Sequence, residues 1–181
     1  MKILSPAKLN LFLKILRKRN DGFHEIRSAI TFINLYDTLE ITSSDITKIT
    51  YDGFFAPKNK QYKNCIIKKN LNFLKVSNNF DIKIKKNIPV KSGLGSASSN
   101  AATLIKYLEV MKIIKTKEIN EYAQLGNDIP CFLFNKNCLV VGKGEKIFSK
   151  IFPKYYFLLV KPEFGNSTTK IYKNLNLDND L

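Results

Sequence analysis

Residues Pro89 to Ala102 (PVKSGLGSASSNAA) gather small side chains between two different periodicities. Before them, Asp81 to Lys86 alternates apolar and charged residues, with Ile82 and Ile84 on one face, which is the pattern of a strand. After them, Ala101, Leu104, Ile105, Leu108 and Met111 recur at helical spacing. A glycine-rich turn that opens a helix presents backbone N–H groups and the positive end of the helix dipole, and both bind phosphate. Gly93 and Gly95 permit close approach because they lack a Cβ. Ser96, Ser98 and Ser99 add hydroxyl donors and are candidate N-caps. No Lys-Ser/Thr pair follows the second glycine, and the G-x-G-x-x-G spacing fails, so this is neither a Walker A motif nor a dinucleotide fingerprint. The same residues would also serve a plain strand-to-helix turn capped by serines. A phosphate loop without its own lysine needs cations from elsewhere.

Ala7 to Ile15 alternates as a strand, which puts Lys8 and Asn10 on one side and the leucine row on the other. Asn20-Asp21-Gly22 signals a turn. Ile26 to Phe32, Leu35 to Ile41 and Ile46 to Tyr51 read as short strands, and Phe54 to Lys63 as a loop. Asn64 to Val76 is helical by its spacing of Ile66, Ile67, Leu71 and Leu74. Lys117 to Leu125 is a further helix with Thr116 as its candidate cap, and Gly126 to Pro130 is a turn or helix start. Cys138 to Val141 and Tyr155 to Val160 read as strands, and Thr168 to Leu175 as a short helix. Strands and helices mix without strict βαβ alternation, which predicts an α+β fold.

The 181 residues suffice for one domain with a real core, and 44% of them are hydrophobic. No apolar run is of membrane-spanning length, and the interrupted segment Met1 to Asn20 lacks the pattern of a cleaved signal. Cys65, Cys131 and Cys138 form no C-x-x-C pair and His24 is the sole histidine. These cysteines read as reduced thiols of a cytoplasmic protein. The formal net charge of +15 favours anionic partners. The lysines are scattered along the chain, however, which argues for solvated faces over a dedicated nucleic-acid patch.

Read together, five ordered motifs resemble one family. They are Ser5 to Leu13 (SPAKLNLFL) with Asp21 to Glu25 (DGFHE), Pro89 to Ala102, Gly126 to Pro130 (GNDIP), Gly142 with Gly144-Glu145, and Phe164 to Tyr172. The set resembles the 4-diphosphocytidyl-2-C-methyl-D-erythritol kinases, of the GHMP small-molecule kinases. The resemblance implies an N-terminal domain of the ribosomal protein S5 domain 2-like α+β type over residues 1–160. It also implies that 161–181 begin a ferredoxin-like second domain, most of which the chain lacks. The implied reaction is transfer of the ATP γ-phosphoryl group to the hydroxyl on carbon 2 of the methylerythritol unit, in non-mevalonate isoprenoid synthesis, with Mg2+ on the nucleotide.

Carried over residue by residue, Lys8 and Asp128 match the catalytic pair. Asn10, Phe23, His24, Thr168 and Tyr172 match substrate-binding positions, with His24 reading cytosine between the rings of Phe23 and Tyr172. Asn64, Cys65 and Lys86 match nucleotide contacts, and Gly93, Leu94, Gly95, Ser96, Ala97, Ser98 and Ser99 the phosphate loop. The resemblance gives no metal ligands. Phe23 stands where the family usually has tyrosine, Lys91-Ser92 replaces part of its glycine run, and its C-terminal glycine-rich motif is absent. These departures leave a second expectation open: a non-catalytic nucleotide- or RNA-binding remnant, or a chain whose C-terminal half is separately encoded.

Overall fold

The computed structural model describes residues 1–57 and 65–161. Two long strands dominate it. β1 (Lys2–Lys18) and β2 (His24–Ser43) pair antiparallel around the Asn20–Gly22 turn. Gly22 takes φ 80° there, and the Asp21 carboxylate accepts the Phe23 N–H at 3.2 Å. β3 (Lys48–Asp52), α1 (Ile66–Phe73), β4 (Phe80–Lys85), α2 (Ser96–Val110), α3 (Ile129–Phe134), β5 (Cys138–Gly142) and β6 (Lys146–Ser149) follow. A 3-10 helix, Ile119–Leu125, precedes α3.

β2 is the hub of one mixed sheet. β1 lies along one of its edges; on the other, its second half pairs with β4 and its first half with β5. β3 and β6 extend the sheet outward, β3 parallel to β4 and β6 antiparallel to β5. Leu39, Ile41, Ile82 and Ile84 pack against Ile67, Leu71, Leu104 and Leu108 of α1 and α2. Ile30, Cys138 and Val140 pack against Ile105, Ile129 and Phe132. The α+β expectation therefore holds, with the helices laid on the sheet.

Several boundaries differ from the sequence reading. The two strands expected between Ile26 and Ile41 are one strand. A bulge explains the apparent break: Pro6 pairs with Tyr36 but Ala7 with Ile33, leaving two extra residues on β2 opposite a proline that has no N–H to donate. A second bulge lies between Asn10 and Phe12. One extra residue flips the alternation. Leu13 and Ile15 consequently line the same cavity as Lys8 and Asn10, rather than facing away from them. Lys117 to Leu125 contains 3-10 rather than α-helix, and its cap is Glu118 in a reciprocal capping box with Glu121, not Thr116. The strand β6 had no clear alternation. Tyr155 to Val160 forms no strand, and Tyr156, Leu158 and Val160 are exposed. Asn64 and the expected helix Thr168 to Leu175 lie outside the described residues.

Candidate active site

The glycine loop does join a strand to a helix, β4 to α2. Gly95 is the N-cap residue of α2, left-handed at φ 72°, and no side chain caps the helix. The serines are drawn elsewhere. Ser96 Oγ donates to Asp37 Oδ2 at 2.8 Å, and Ser99 Oγ to the Pro6 carbonyl at 2.6 Å. The N-cap role expected of the serines is thus not theirs, and the first-turn N–H groups of a helix have no partner within the helix itself. Gly95 is needed twice over. A Cβ there would lie 2.6 Å from the Phe132 ring and 3.2 Å from Lys8 Cγ, in a conformation that side chains rarely adopt. The loop is tied to the first strand by the Lys8 N–H, which donates to the Leu94 carbonyl at 3.1 Å.

Beneath the loop lies a buried polar cluster. Asp37 is fully buried on β2, and Lys86, just past β4, is nearly so. Lys86 Nζ donates to Asp37 Oδ2, Ser96 Oγ and Asn100 Oδ1. Burial pulls the Lys86 pKa below the ordinary lysine range, and the Asp37 carboxylate partly restores it. Three acceptors match the three protons of an ammonium, so Lys86 braces the loop from inside.

The catalytic pair expected from the sequence comes together at the mouth of the loop. Lys8 Nζ is 3.8 Å from Asp128 Oδ2; Lys8 is buried, whereas the Asp128 side chain is 46% exposed. Lys8 Nζ also donates to Asn10 Oδ1 at 2.5 Å, and Asn10 Nδ2 to Ser28 Oγ at 2.7 Å. Ser28 in turn donates to the Phe12 carbonyl at 2.7 Å, next to the second bulge of β1. Asp128 occupies the N-cap position of α3 yet makes no side-chain cap bond, so its carboxylate is left for Lys8 and the cavity. The turn that carries it is supported on two sides. Gly144 approaches so closely that a Cβ would sit 2.8 Å from the Asn127 carbonyl oxygen. Tyr122 of the 3-10 helix donates to Glu109 of α2 at 2.7 Å, and burial together with that carboxylate raises its pKa well above the usual range.

A cavity of about 800 Å³ lies over these groups. Its wall includes Lys8, Asn10, Asp128, Cys65, Lys86, Gly93, Gly95, Ser96, Ala97 and Ser98. Leu94 packs instead with Ala7 and Ile88, and Ser99 faces β1. A second cavity of about 450 Å³ is lined by Phe23, Gly126, Asn127, Lys143 and Glu145. Lys143 Nζ stands 5.0 Å over the Phe23 ring. The Gly126–Asp128 turn therefore borders both cavities. His24 opens β2 beside Phe23 but lines neither of these two cavities. Asn64, Thr168 and Tyr172 are outside the described residues. Asp37, Asn100 and Ser28 are functional positions that the sequence does not single out, and Gly144 stands in it only as part of a motif, without a role. Asp37 is one of several polar residues of its strand, with Thr38 and Glu40 close by, so nothing in the sequence marks it out, and Asn100 is legible only as an amide on the first turns of α2.

Residues 61–136 match the family model of the GHMP kinases N terminal domain. A 4-diphosphocytidyl-2-C-methyl-D-erythritol kinase of Syntrophus aciditrophicus is 39% identical over 98% of the chain and 66% of its own length. The enzyme of the same name from Thermosipho melanesiensis is 41% identical, over 96% and 64% respectively. A crystal structure of 4-(cytidine 5'-diphospho)-2C-methyl-D-erythritol kinase superposes with a TM-score of 0.69 at 25% identity, covering 84% of the chain and 56% of that protein. The mevalonate pyrophosphate decarboxylase of Streptococcus pyogenes shares the fold, with a TM-score of 0.63 at 13% identity. The chain belongs to the GHMP kinases. Within that family it is similar to curated 4-diphosphocytidyl-2-C-methyl-D-erythritol kinases, of whose length it spans 62–66% in three cases. Each of those relatives is itself one longer chain, which lends no support to a separately encoded half.

Proposed function

We propose that the chain carries the nucleotide half of an ATP-dependent kinase that phosphorylates the carbon-2 hydroxyl of 4-diphosphocytidyl-2-C-methyl-D-erythritol. The observation that carries this reading is the Lys8–Asp128 pair, 3.8 Å apart, at the wall of the cavity that the glycine loop also lines. Phosphoryl transfer asks a protein mainly for alignment and charge neutralisation. ATP phosphates lie over Gly93 to Ser98, against the free N–H groups of the first turn of α2. The Asp128 carboxylate accepts the proton of the attacking hydroxyl, and Lys8 holds that carboxylate in place and offsets the charge that develops on the transferred group. Asn10 fixes the Lys8 ammonium and reaches the same hydroxyl region. Cys65 stands on the adenine side of the cavity, where the family resemblance adds Asn64 as a further contact, and Lys86 acts from beneath the loop.

The acceptor runs from the first cavity, past the Asp128 turn, into the second. Cytosine stacks on Phe23, with His24 at its edge; the family resemblance adds Thr168 and Tyr172 as substrate contacts, and both lie outside the described residues. Residues 1–160 would then be the nucleotide-binding domain, and 161–181 the entry to a substrate domain. Magnesium comes with the nucleotide. Among the described residues there is no group of three His, Cys, Asp or Glu that could cage an ion. The Asp128 carboxylate and the Ser92 and Ser98 hydroxyls on the cavity wall suit an ion that keeps most of its water and phosphate ligands. Such an ion supplies charge neutralisation at the phosphates. Cys65, Cys131 and Cys138 are free thiols, which fits a cytoplasmic setting. No helix among the described residues is long and apolar enough to cross a membrane.

The test is to follow label from γ-labelled ATP with this acceptor present. Label in the cytidine diphosphate alcohol supports the reading. Label that stays in ATP while MgATP binds overturns it in favour of a non-catalytic nucleotide-binding remnant, and label only in inorganic phosphate, at a rate indifferent to the acceptor, overturns it in favour of a plain ATPase.

A further inference from the structure

The loop from Pro89 to Gly95 begins and ends on the same carboxylate. On the incoming side, Asp37 Oδ1 accepts the backbone N–H groups of Asn87 at 2.8 Å and Ile88 at 2.9 Å. On the outgoing side, Oδ2 accepts Ser96 Oγ at 2.8 Å and Asn100 Nδ2 at 3.1 Å, both from the first turns of α2. One oxygen thus serves the chain entering the loop and the other serves the helix leaving it. Asp37 is 0% exposed and sits on the central strand of the sheet, so this anchor is itself rigid.

A bare carboxylate under the loop would oppose phosphate binding above it. Lys86 removes that objection. Its ammonium bonds Asp37, Ser96 and Asn100, so the cluster is neutral overall while the helix N-terminus keeps its positive field. Asn100 Nδ2 also donates to Ser5 Oγ at 2.9 Å, which joins the same cluster to the strand carrying Lys8.

We propose that Asp37, charge-balanced by Lys86, is a positioning residue that clasps both ends of the phosphate loop and so holds its N–H groups in the geometry that receives a nucleotide. The proposal rests on the nucleotide reading above for its consequence, but the clasp itself is a property of the loop. A preorganised loop binds without the cost of ordering itself. Loss of the clasp should therefore appear in nucleotide affinity and in loop protection, not only in melting temperature.

The experiment is hydrogen–deuterium exchange on the full chain, with and without MgATP, for the wild type, Asp37→Asn and Ser96→Ala. Asp37→Asn keeps the shape of the side chain. Ser96→Ala cuts only one strut, and it carries the test if Asp37→Asn does not fold. In either folded variant the amides of 90–99 should exchange faster, while those of the paired β1–β2 centre do not. The Kd for MgATP should rise about tenfold or more in Asp37→Asn, and less in Ser96→Ala. Unchanged loop exchange in a folded variant would overturn the clasp, as would acceleration spread evenly over the sheet or an unaltered Kd alongside a lower melting temperature. If the wild type binds no MgATP, the functional reading fails, and the exchange pattern without nucleotide still decides the clasp.

Discussion

Gly95 and Phe132 are in contact because Gly95 has no side chain: a Cβ built on Gly95 would stand 2.6 Å from the edge of the Phe132 ring. Phe132 belongs to α3, the helix whose N-cap is Asp128, and Gly95 is the N-cap of α2. The contact thus sets the spacing between the glycine loop and the turn that bears Asp128, the proposed base. Gly95→Ala has to move the ring and also strain a backbone at φ 72°. Overpacking and a disfavoured φ together should cost about 1–3 kcal/mol. Urea unfolding measures this, and Gly93→Ala is the control. Gly93 has a similar φ of 77° but nothing within 4 Å, so its loss should be the smaller one.

A related substitution separates alignment from nucleotide binding. Gly144→Ala pushes against the Asn127 carbonyl, one residue before Asp128. It should lower kcat by about tenfold or more, since small displacements at a reacting group are costly. The affinity for MgATP should change little, because the loop is untouched. Steady-state kinetics beside nucleotide titration gives both numbers, and a fall confined to nucleotide affinity would contradict the role assigned to this contact.

The cysteines divide by position. Cys65 is half-buried on the wall of the larger cavity, whereas Cys131 and Cys138 are buried. Reactivity follows exposure and thiolate character. A thiol reagent should therefore modify Cys65 first in the native chain, and MgATP should slow that modification. Mass spectrometry of the labelled peptides reads the order, and labelling of Cys65 that MgATP leaves unaltered would speak against adenine at this end of the cavity.

Cys138 also makes stability depend on pH. Burial raises its pKa from 9.0 to about 11. Between those values the unfolded chain gives up a proton that the native chain keeps, so the stabilisation is whole below pH 9 and is lost as pH approaches 11. The contribution is on the order of 2–3 kcal/mol at 1.36 kcal/mol per unit. The unfolding free energy of the wild type should fall more steeply than that of Cys138→Ala across this window. Equal slopes in urea titrations at pH 8 to 11 would contradict the assignment.

Local pattern carried the elements whose side chains alternate or recur on one face. The loop between β4 and α2 was legible from its glycines, and the strand bearing Lys8 from its leucines. Two kinds of feature were not. Bulges leave no compositional mark, so the side-flip beyond Asn10 and the unbroken run of β2 through Asn34 emerged only from pairing with the partner strand. Long-range polar partners were equally hidden. Asp37 and Ser96 are 59 residues apart in sequence, and neither residue type announces the other. Local rules favour Ser96 and Ser99 as caps, yet acceptors on β1 and β2 compete for their hydroxyls and win. The Lys8–Asp128 pairing came from resemblance to a family, since no spacing rule links positions so far apart.

Asp128, held by Lys8, is the proposed base for phosphoryl transfer to the cytidine diphosphate alcohol. The most direct measurement is acceptor-dependent ADP formation by the wild type, Asp128→Asn and Lys8→Ala, with MgATP affinity determined in parallel. Asp128→Asn keeps the size of the side chain and removes its basicity. General-base catalysis contributes roughly 10²–10⁴-fold, so turnover should drop by that order in Asp128→Asn while MgATP still binds. Lys8→Ala should also lose turnover. Acceptor-dependent turnover that survives Asp128→Asn at the wild-type rate would rule Asp128 out as the base.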